Sequence, residues 1–331
     1  MLEKHFIHNK EVDSVLLSGK YEKQNIMFSI VIPTYKRPTL LEYTLTSAIR
    51  QNIIENYEII VVDNEPYEDK INDTQKVIRK FSCDKLLYFR NKENIGLCGN
   101  WNRCIELARG HYVTILHDDD WLDPDYLSVA YNQISGKKAI LFKPRIWDFR
   151  NYKTGSKIKF DSFKSQVRLL FDHVFPKTNL GLKDLYLRNP AYGTLGIMFE
   201  TNAIKNLGGF QEDLYPILDY DLLVKYVRRY GAKLIKKRVT NYRIDVNESH
   251  NCAKSTPQML FEYREQMFHL YESELKGVNR WRKELYINDI GTNEKTWNIV
   301  IDKPSYYQNI RHSFHYKLFK IKYYLYMLFR V

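Results

Sequence analysis

Cysteine is scarce in this sequence. The 331 residues include four, Cys83, Cys98, Cys104 and Cys252, and no two form a CxxC pair. That reads as reduced thiols in a cytoplasmic protein rather than a disulfide frame or a zinc site. Long apolar runs are absent too. None reaches the roughly 18 uninterrupted apolar residues of a membrane span. The opening stretch, MLEKHFIHNKEVDS, is charged and has no apolar segment, so it does not read as a signal peptide. There is no internal repeat and no low-complexity tract. From Lys303 to the end there is no acidic residue at all.

Aromatic residues and positive charge are plentiful. Phe, Trp and Tyr make up 15% of the chain, with 26 Tyr and 17 Phe, and the net charge is +12. A basic chain points to anionic partners: nucleic acid, phosphorylated small molecules or a lipid surface. The basic residues do not fall into a nucleic-acid-binding motif, so no specific nucleic-acid partner is expected. The length suits one large domain with an appendage, or two domains.

Short β-branched apolar runs alternate with helical patterns. FSIVIP (28–33) and YEIIVVDN (57–64) read as buried strands, followed by KLLYFRN (85–91), HYVTIL (111–116) and KAILFK (138–143). Helices are expected over 39–51, around 75–81, over 99–110 with Gly110 as its stop, and over 124–134. This alternation predicts an α/β fold with a mostly parallel central sheet and flanking helices. Residues 1–27 read as a peripheral extension. Residues 145–166 read as a hairpin or variable loop, and DYDLLVKYVRRYG (219–231) as a helix.

Polar residues cluster where the strands end. Thr34 to Arg37 follow the first strand, Asp63 and Asn64 end the second, and Asp118 to Asp120 follow the fourth. In open α/β sheets, ligands bind outside the carboxyl ends of the strands, so these groups point to one crevice. HDDDW (117–121) places three carboxylates in a row. A hard divalent cation, Mn²⁺ or Mg²⁺, fits such a cluster, because it binds through one or two carboxylates plus substrate phosphates. A solvated acidic turn or a helix N-terminus is the alternative.

Five motifs in order resemble family 2 of the glycosyltransferases, inverting nucleotide-sugar enzymes with a Rossmann-like GT-A fold. They are FSIVIPTYKRPTLLEYTLTSAIRQ, YEIIVVDN, NKENIGLCGNWN, YVTILHDDDWLDPDYL and LGGFQEDLYPILDYDLLVKYVRRYG. The resemblance spans about 28–250 and sets the expected divisions: an extension over 1–27, the GT-A domain over 28–250 and a helical region over 251–331. It implies that Pro33, Thr34, Tyr35, Arg37, Asn94, Gly96 and Asp118 line the nucleotide site. Asp63 would read the base; a carboxylate accepting from a ring N–H selects uracil or thymine. Asp119 is implied as the leading metal ligand, Asp120 as its support and His250 as a further ligand. His117, in place of a common Asp, reads as a structural neighbour, and Arg243 is a weaker phosphate candidate.

Such enzymes need a base for the acceptor hydroxyl. The resemblance implies Asp219, with Asp221 holding its helix. Leu218 replaces a common Glu, and that departure leaves open a decayed, nucleotide-sugar-binding scaffold. Gly208 and Gly209 resemble an acceptor-side loop. A UDP-sugar is the implied donor and a saccharide the acceptor, while sugar identity rests with loops such as 145–192.

The basic end, SYYQNIRHSFHYKLFKIKYYLYMLFRV, places Phe314, Leu318, Ile321, Leu325 and Leu328 on one helical face, flanked by Lys317 and Lys322. That pattern fits a helix in an anionic membrane interface, on the inner face of the cell membrane, and suits an acceptor carried on lipid. Packing on the enzyme or on a second subunit of a homo-oligomer is the alternative.

Overall fold

The computed structural model describes residues 11–21, 25–150, 156–157, 174, 177–245 and 248–329. Much of the loop expected to set sugar specificity lies outside these residues. In chain order the strands are β1 (Ser14–Ser18), β2 (Phe28–Thr34), β3 (Tyr57–Asp63), β4 (Leu86–Asn91), β5 (Tyr112–Ile115) and β6 (Trp121–Leu122). They continue with β7 (Ala139–Asp148), β8 (Ser156–Lys157), β9 (Lys177–Leu180), β10 (Ile197–Glu200) and β11 (Ala232–Ile244).

All belong to one eleven-stranded sheet ordered β1-β4-β3-β2-β5-β10-β7-β11-β6, with β8 on β7 and β9 on β11. The expected parallel sheet is its heart, β4-β3-β2-β5, and β7 runs parallel to β11. The remaining pairings are antiparallel, so the sheet is mixed. Every residue of β2, β3 and β4 is buried. Side chains alternate across a strand. Ile59 and Val61 therefore join the core on one face, Ile60 and Val62 the core on the other. Each such side chain stabilises the fold by roughly 1.5–3 kcal/mol.

The extension expected over 1–27 is only partly peripheral. Its SVLLS stretch is β1, antiparallel to β4 at the sheet edge. Helices α1 (Pro38–Ile49), α2 (Asp73–Ile78), α3 (Gly96–Leu107) and α4 (Tyr126–Tyr131) follow the first strands. Leu41, Leu45 and Ala48 of α1, Ile78 of α2 and Leu127 of α4 share the core of one sheet face, and Cys98, Cys104 and Ile105 of α3 that of the other. α3 starts and ends earlier than expected, and Gly110 does not cap it. Gly110 instead lets the chain approach β2: a Cβ there would stand 2.6 Å from the Ser29 nitrogen and 2.7 Å from the Phe28 carbonyl carbon.

Helices α5 (Leu182–Leu187), α6 (Thr201–Asn206) and α7 (Leu218–Tyr230) cover the α3 side. The C-terminal region is helical as expected: α8 (Glu248–Asn251), α9 (Thr256–Leu270), α10 (Glu272–Leu275), α11 (Arg282–Trp297), α12 (Tyr307–Arg311) and α13 (Phe314–Phe329). The apolar core runs through the expected division at 250. Met267, Leu275, Leu285 and Phe319 join the same cluster as strand residues Val31, Ile60 and Val113.

One face of α13 is packed, with Phe319 buried against Trp281, Tyr316 and Tyr323. The other carries Phe314, Leu318, Ile321 and Leu325, exposed by 75, 38, 60 and 48%. The Leu328 side chain lies outside the described residues. Among the described residues no helix is long and apolar enough to cross a membrane.

Candidate active site

A cavity of about 940 Å³ opens where β2, β3 and β5 end. Pro33 and Thr34 line it from the end of β2, Tyr35 and Arg37 from the turn that follows, Asn94 and Gly96 from the start of α3, and Asp118, Asp119 and Asp120 from the turn after β5. Lys36 within the first turn has φ +53°, a conformation that costs a non-glycine residue roughly 1–2 kcal/mol. Further lining comes from much later in the chain, from Tyr215 to Tyr220 and from Glu248, Ser249, Asn251 and Cys252. Asp219 is among these residues, in the first turn of α7.

Arg37 and Arg243 hold the acidic triplet from two sides. The Arg37 guanidinium donates to Asp118 Oδ1 at 2.8 Å and to Asp119 Oδ2 at 2.8 Å. The Thr34 hydroxyl donates to Asp118 Oδ2 at 2.8 Å. Behind the triplet, the Arg243 backbone N–H donates to Asp120 Oδ1 at 2.8 Å, and its Nε to the Asp119 carbonyl at 2.9 Å. Its guanidinium sits over the Phe149 ring at 3.9 Å. Arg243 therefore braces the triplet. His117 is fixed by the Thr194 hydroxyl at 2.9 Å and the Trp101 ring, as a structural neighbour would be.

The triplet holds more negative charge than these partners offset. Burial pushes the Asp118 carboxyl up to about 7, with Arg37 opposing and Asp119 adding to the rise. Burial and the Asp119 charge push Asp120 well above the usual carboxylate range. Asp120 Oδ2 is buried without a hydrogen-bond partner among the described residues. Such a donor set suits a cation. Among the described residues, no group of three or more His, Cys, Asp or Glu is placed to hold a metal ion unaided. Two carboxylates and the oxygens of a bound diphosphate would complete the ligand shell.

Asp219 titrates differently from an exposed carboxylate. Burial pushes it up to about 6, against the pull of the Tyr220 backbone N–H. Asp221 points elsewhere: it accepts from the Tyr263 hydroxyl at 2.7 Å and pairs with Lys225 at 2.7 Å, which ties α7 to α9.

Residues 29–186 match the family described as Glycosyl transferase family 2. The chain carries a family 2 glycosyltransferase domain. This glycosyltransferase is 25% identical over 284 residues to an Escherichia coli K12 protein named for a colanic acid biosynthesis glycosyl transferase, WcaA, covering 84% of this chain and 93% of WcaA. Two solved structures share its fold. S. aureus TarS 1–349 in complex with UDP-GlcNAc matches with TM-score 0.52 at 16% identity, over 90% of this chain and 89% of that one. The chain spans 54% of the longer TarS chain. The mannosyltransferase PcManGT from Pyrobaculum calidifontis, in complex with GDP-Man and Mn2+, matches with TM-score 0.52 at 14% identity, over 97% of this chain and 91% of that one. The mixed sheet with its helical flanks is thus a GT-A fold.

Two residues singled out from the glycosyltransferase sequence stand apart from the cavity. Asp63 is fully buried. Its oxygens accept from the Glu65 N–H at 3.0 Å, the Asn72 amide at 2.8 Å and the Tyr88 hydroxyl at 2.8 Å. Strand alternation explains this. Asp63 continues the face of Ile59 and Val61, whereas Asn64 falls on the face of Val62 and lines the cavity. Asn64 is itself held by Asn91 and Asn94. His250 is exposed on α8, its ring 5.6 Å from that of Trp297, and it does not join the triplet. Tyr215, Glu248 and Trp297 line the cavity without having been singled out, since no motif marks them.

Proposed function

We propose that this cavity binds a nucleotide-sugar donor with Mn²⁺ or Mg²⁺ and transfers the sugar, with inversion, to a hydroxyl of a saccharide acceptor. The observation that carries this reading is that the acidic triplet and Asp219 line one cavity although they lie about a hundred residues apart. Thr34, Tyr35 and Arg37 lie at the donor's end, with Asp118 beside them. Asp119 and Asp120 are the residues that would hold the cation. When bound, it stabilises the charge of the departing diphosphate. Asp219 accepts the proton of the attacking hydroxyl. A base with a pKa near 6 is ionised at neutral pH and still basic enough to assist.

The nucleotide in the TarS complex supports a UDP-sugar as the first donor to test. Purified protein should release UDP from a UDP-sugar in the presence of Mn²⁺ and a saccharide acceptor. Chelation, or Asp119→Ala, should lower release by at least two orders of magnitude. Undiminished release in both cases would sink the metal-dependent reading.

The acceptor is proposed to ride on a lipid carrier, with the protein on the inner face of the cell membrane. The exposed face of α13 supports this: four apolar side chains in a segment that has no acidic residue after Lys303. The full chain should co-sediment with phosphatidylglycerol vesicles, and Ile321→Asp with Leu325→Asp should abolish this. A wild-type chain that ignores the vesicles and dimerises through α13 would replace the membrane by a second subunit.

A further inference from the structure

Arg37 stands where a cation would have to bind. Among the described residues its guanidinium makes two hydrogen bonds, one each to Asp118 and Asp119. The side chain is 34% exposed, whereas those of Asp118 and Asp119 are 6% and 8% exposed. Thr34 holds the Asp118 carboxylate, and Arg243 holds the Asp119 backbone carbonyl and the Asp120 carboxylate, so the turn is braced independently of the Arg37 guanidinium. Of the three partners, Thr34, Arg243 and Arg37, only Arg37 reaches the surface: Thr34 and Arg243 are 3% and 8% exposed.

We infer that Arg37 is an exchangeable counter-ion, which neutralises the triplet when no donor is bound and swings to the donor's diphosphate when a divalent cation takes its place. This rests on the donor and metal reading above. Like charges exclude one another: a divalent ion at Asp119 and a guanidinium on the same carboxylate repel across a few ångströms. A diphosphate offers the displaced guanidinium a bidentate partner, which Arg is shaped to grip and Lys is not. Cation and diphosphate must therefore help one another to bind, and the help must be reciprocal.

The test is Mn²⁺ binding, followed by the electron paramagnetic resonance signal of free Mn²⁺, with and without UDP or GDP. In the wild-type protein, one of the nucleotides should tighten Mn²⁺ binding at least tenfold. In Arg37→Gln, Mn²⁺ alone should bind about tenfold more tightly than to wild type, the nucleotide alone more weakly, and the coupling should fall about tenfold, to the part that direct ligation of the cation by the diphosphate supplies. Arg37→Lys keeps the charge without the fork and should weaken the nucleotide while still opposing Mn²⁺. Weaker Mn²⁺ binding by nucleotide-free Arg37→Gln, or full coupling retained in it, would overturn the exchange. A wild-type protein that takes up no Mn²⁺ with either nucleotide would overturn the metal-dependent reading itself.

Discussion

Asp219→Asn is expected to lower turnover by about 10²–10⁴-fold, the usual contribution of a positioned general base. Asparagine keeps the shape and cannot take the proton. Donor affinity should stay within about twofold, because Asp219 is not among the residues proposed to hold the nucleotide or the cation. The wild-type pH profile gives a second readout. Asp219 works in its ionised form, and burial has raised its pKa to about 6. Activity should therefore be full above that value and fall about tenfold per unit below it. In Asp219→Asn this limb should vanish from the residual activity. If that variant turned over at near the wild-type rate, the proton would be leaving by another route.

The parallel heart of the fold was legible because buried strands must be apolar. β2, β3, β4 and β5 each fall on a run that the sequence displays openly, and their order with α1 to α4 follows from alternation. β11 was not legible. Its sequence, AKLIKKRVTNYRI, carries five basic residues, yet it lies inside the sheet between β7 and β6. Charges mask its alternation, and what fixes it is pairing with strands remote in sequence. The candidate site divides in the same way. Thr34, Arg37 and Asp118 to Asp120 could be placed because the ends of parallel strands define a crevice. Asp63 and Asn64 are neighbours on opposite faces, and only the strand's actual end decides which one meets the cavity. The later wall depends on Tyr215 meeting Glu248 and Cys252, contacts that no local pattern encodes.

Removing the Asp289 carboxylate should strongly destabilise the protein. Arg264 of α9 is 1% exposed, and its guanidinium donates to Asp289 of α11 at 2.5 Å and to the Tyr186 carbonyl of α5 at 2.8 Å. The pair thus joins two C-terminal helices to the sheet-covering layer. Asp289→Ala leaves a buried guanidinium without its counter-charge, which costs about 3–5 kcal/mol, or roughly 10 °C in melting temperature. Arg264→Met with Asp289→Leu should recover most of that loss, because two apolar side chains leave no unpaired charge to bury. The single variant should also impair donor and acceptor binding. Thr256 and Leu260 of α9, and Asn293 and Trp297 of α11, line the cavity, so loosening the joint between these helices loosens its wall. Thermal unfolding of Arg264→Met, of Asp289→Leu and of the double variant measures the coupling. An Asp289→Ala protein that melts with the wild type would mean that the C-terminal helices are held by apolar packing alone.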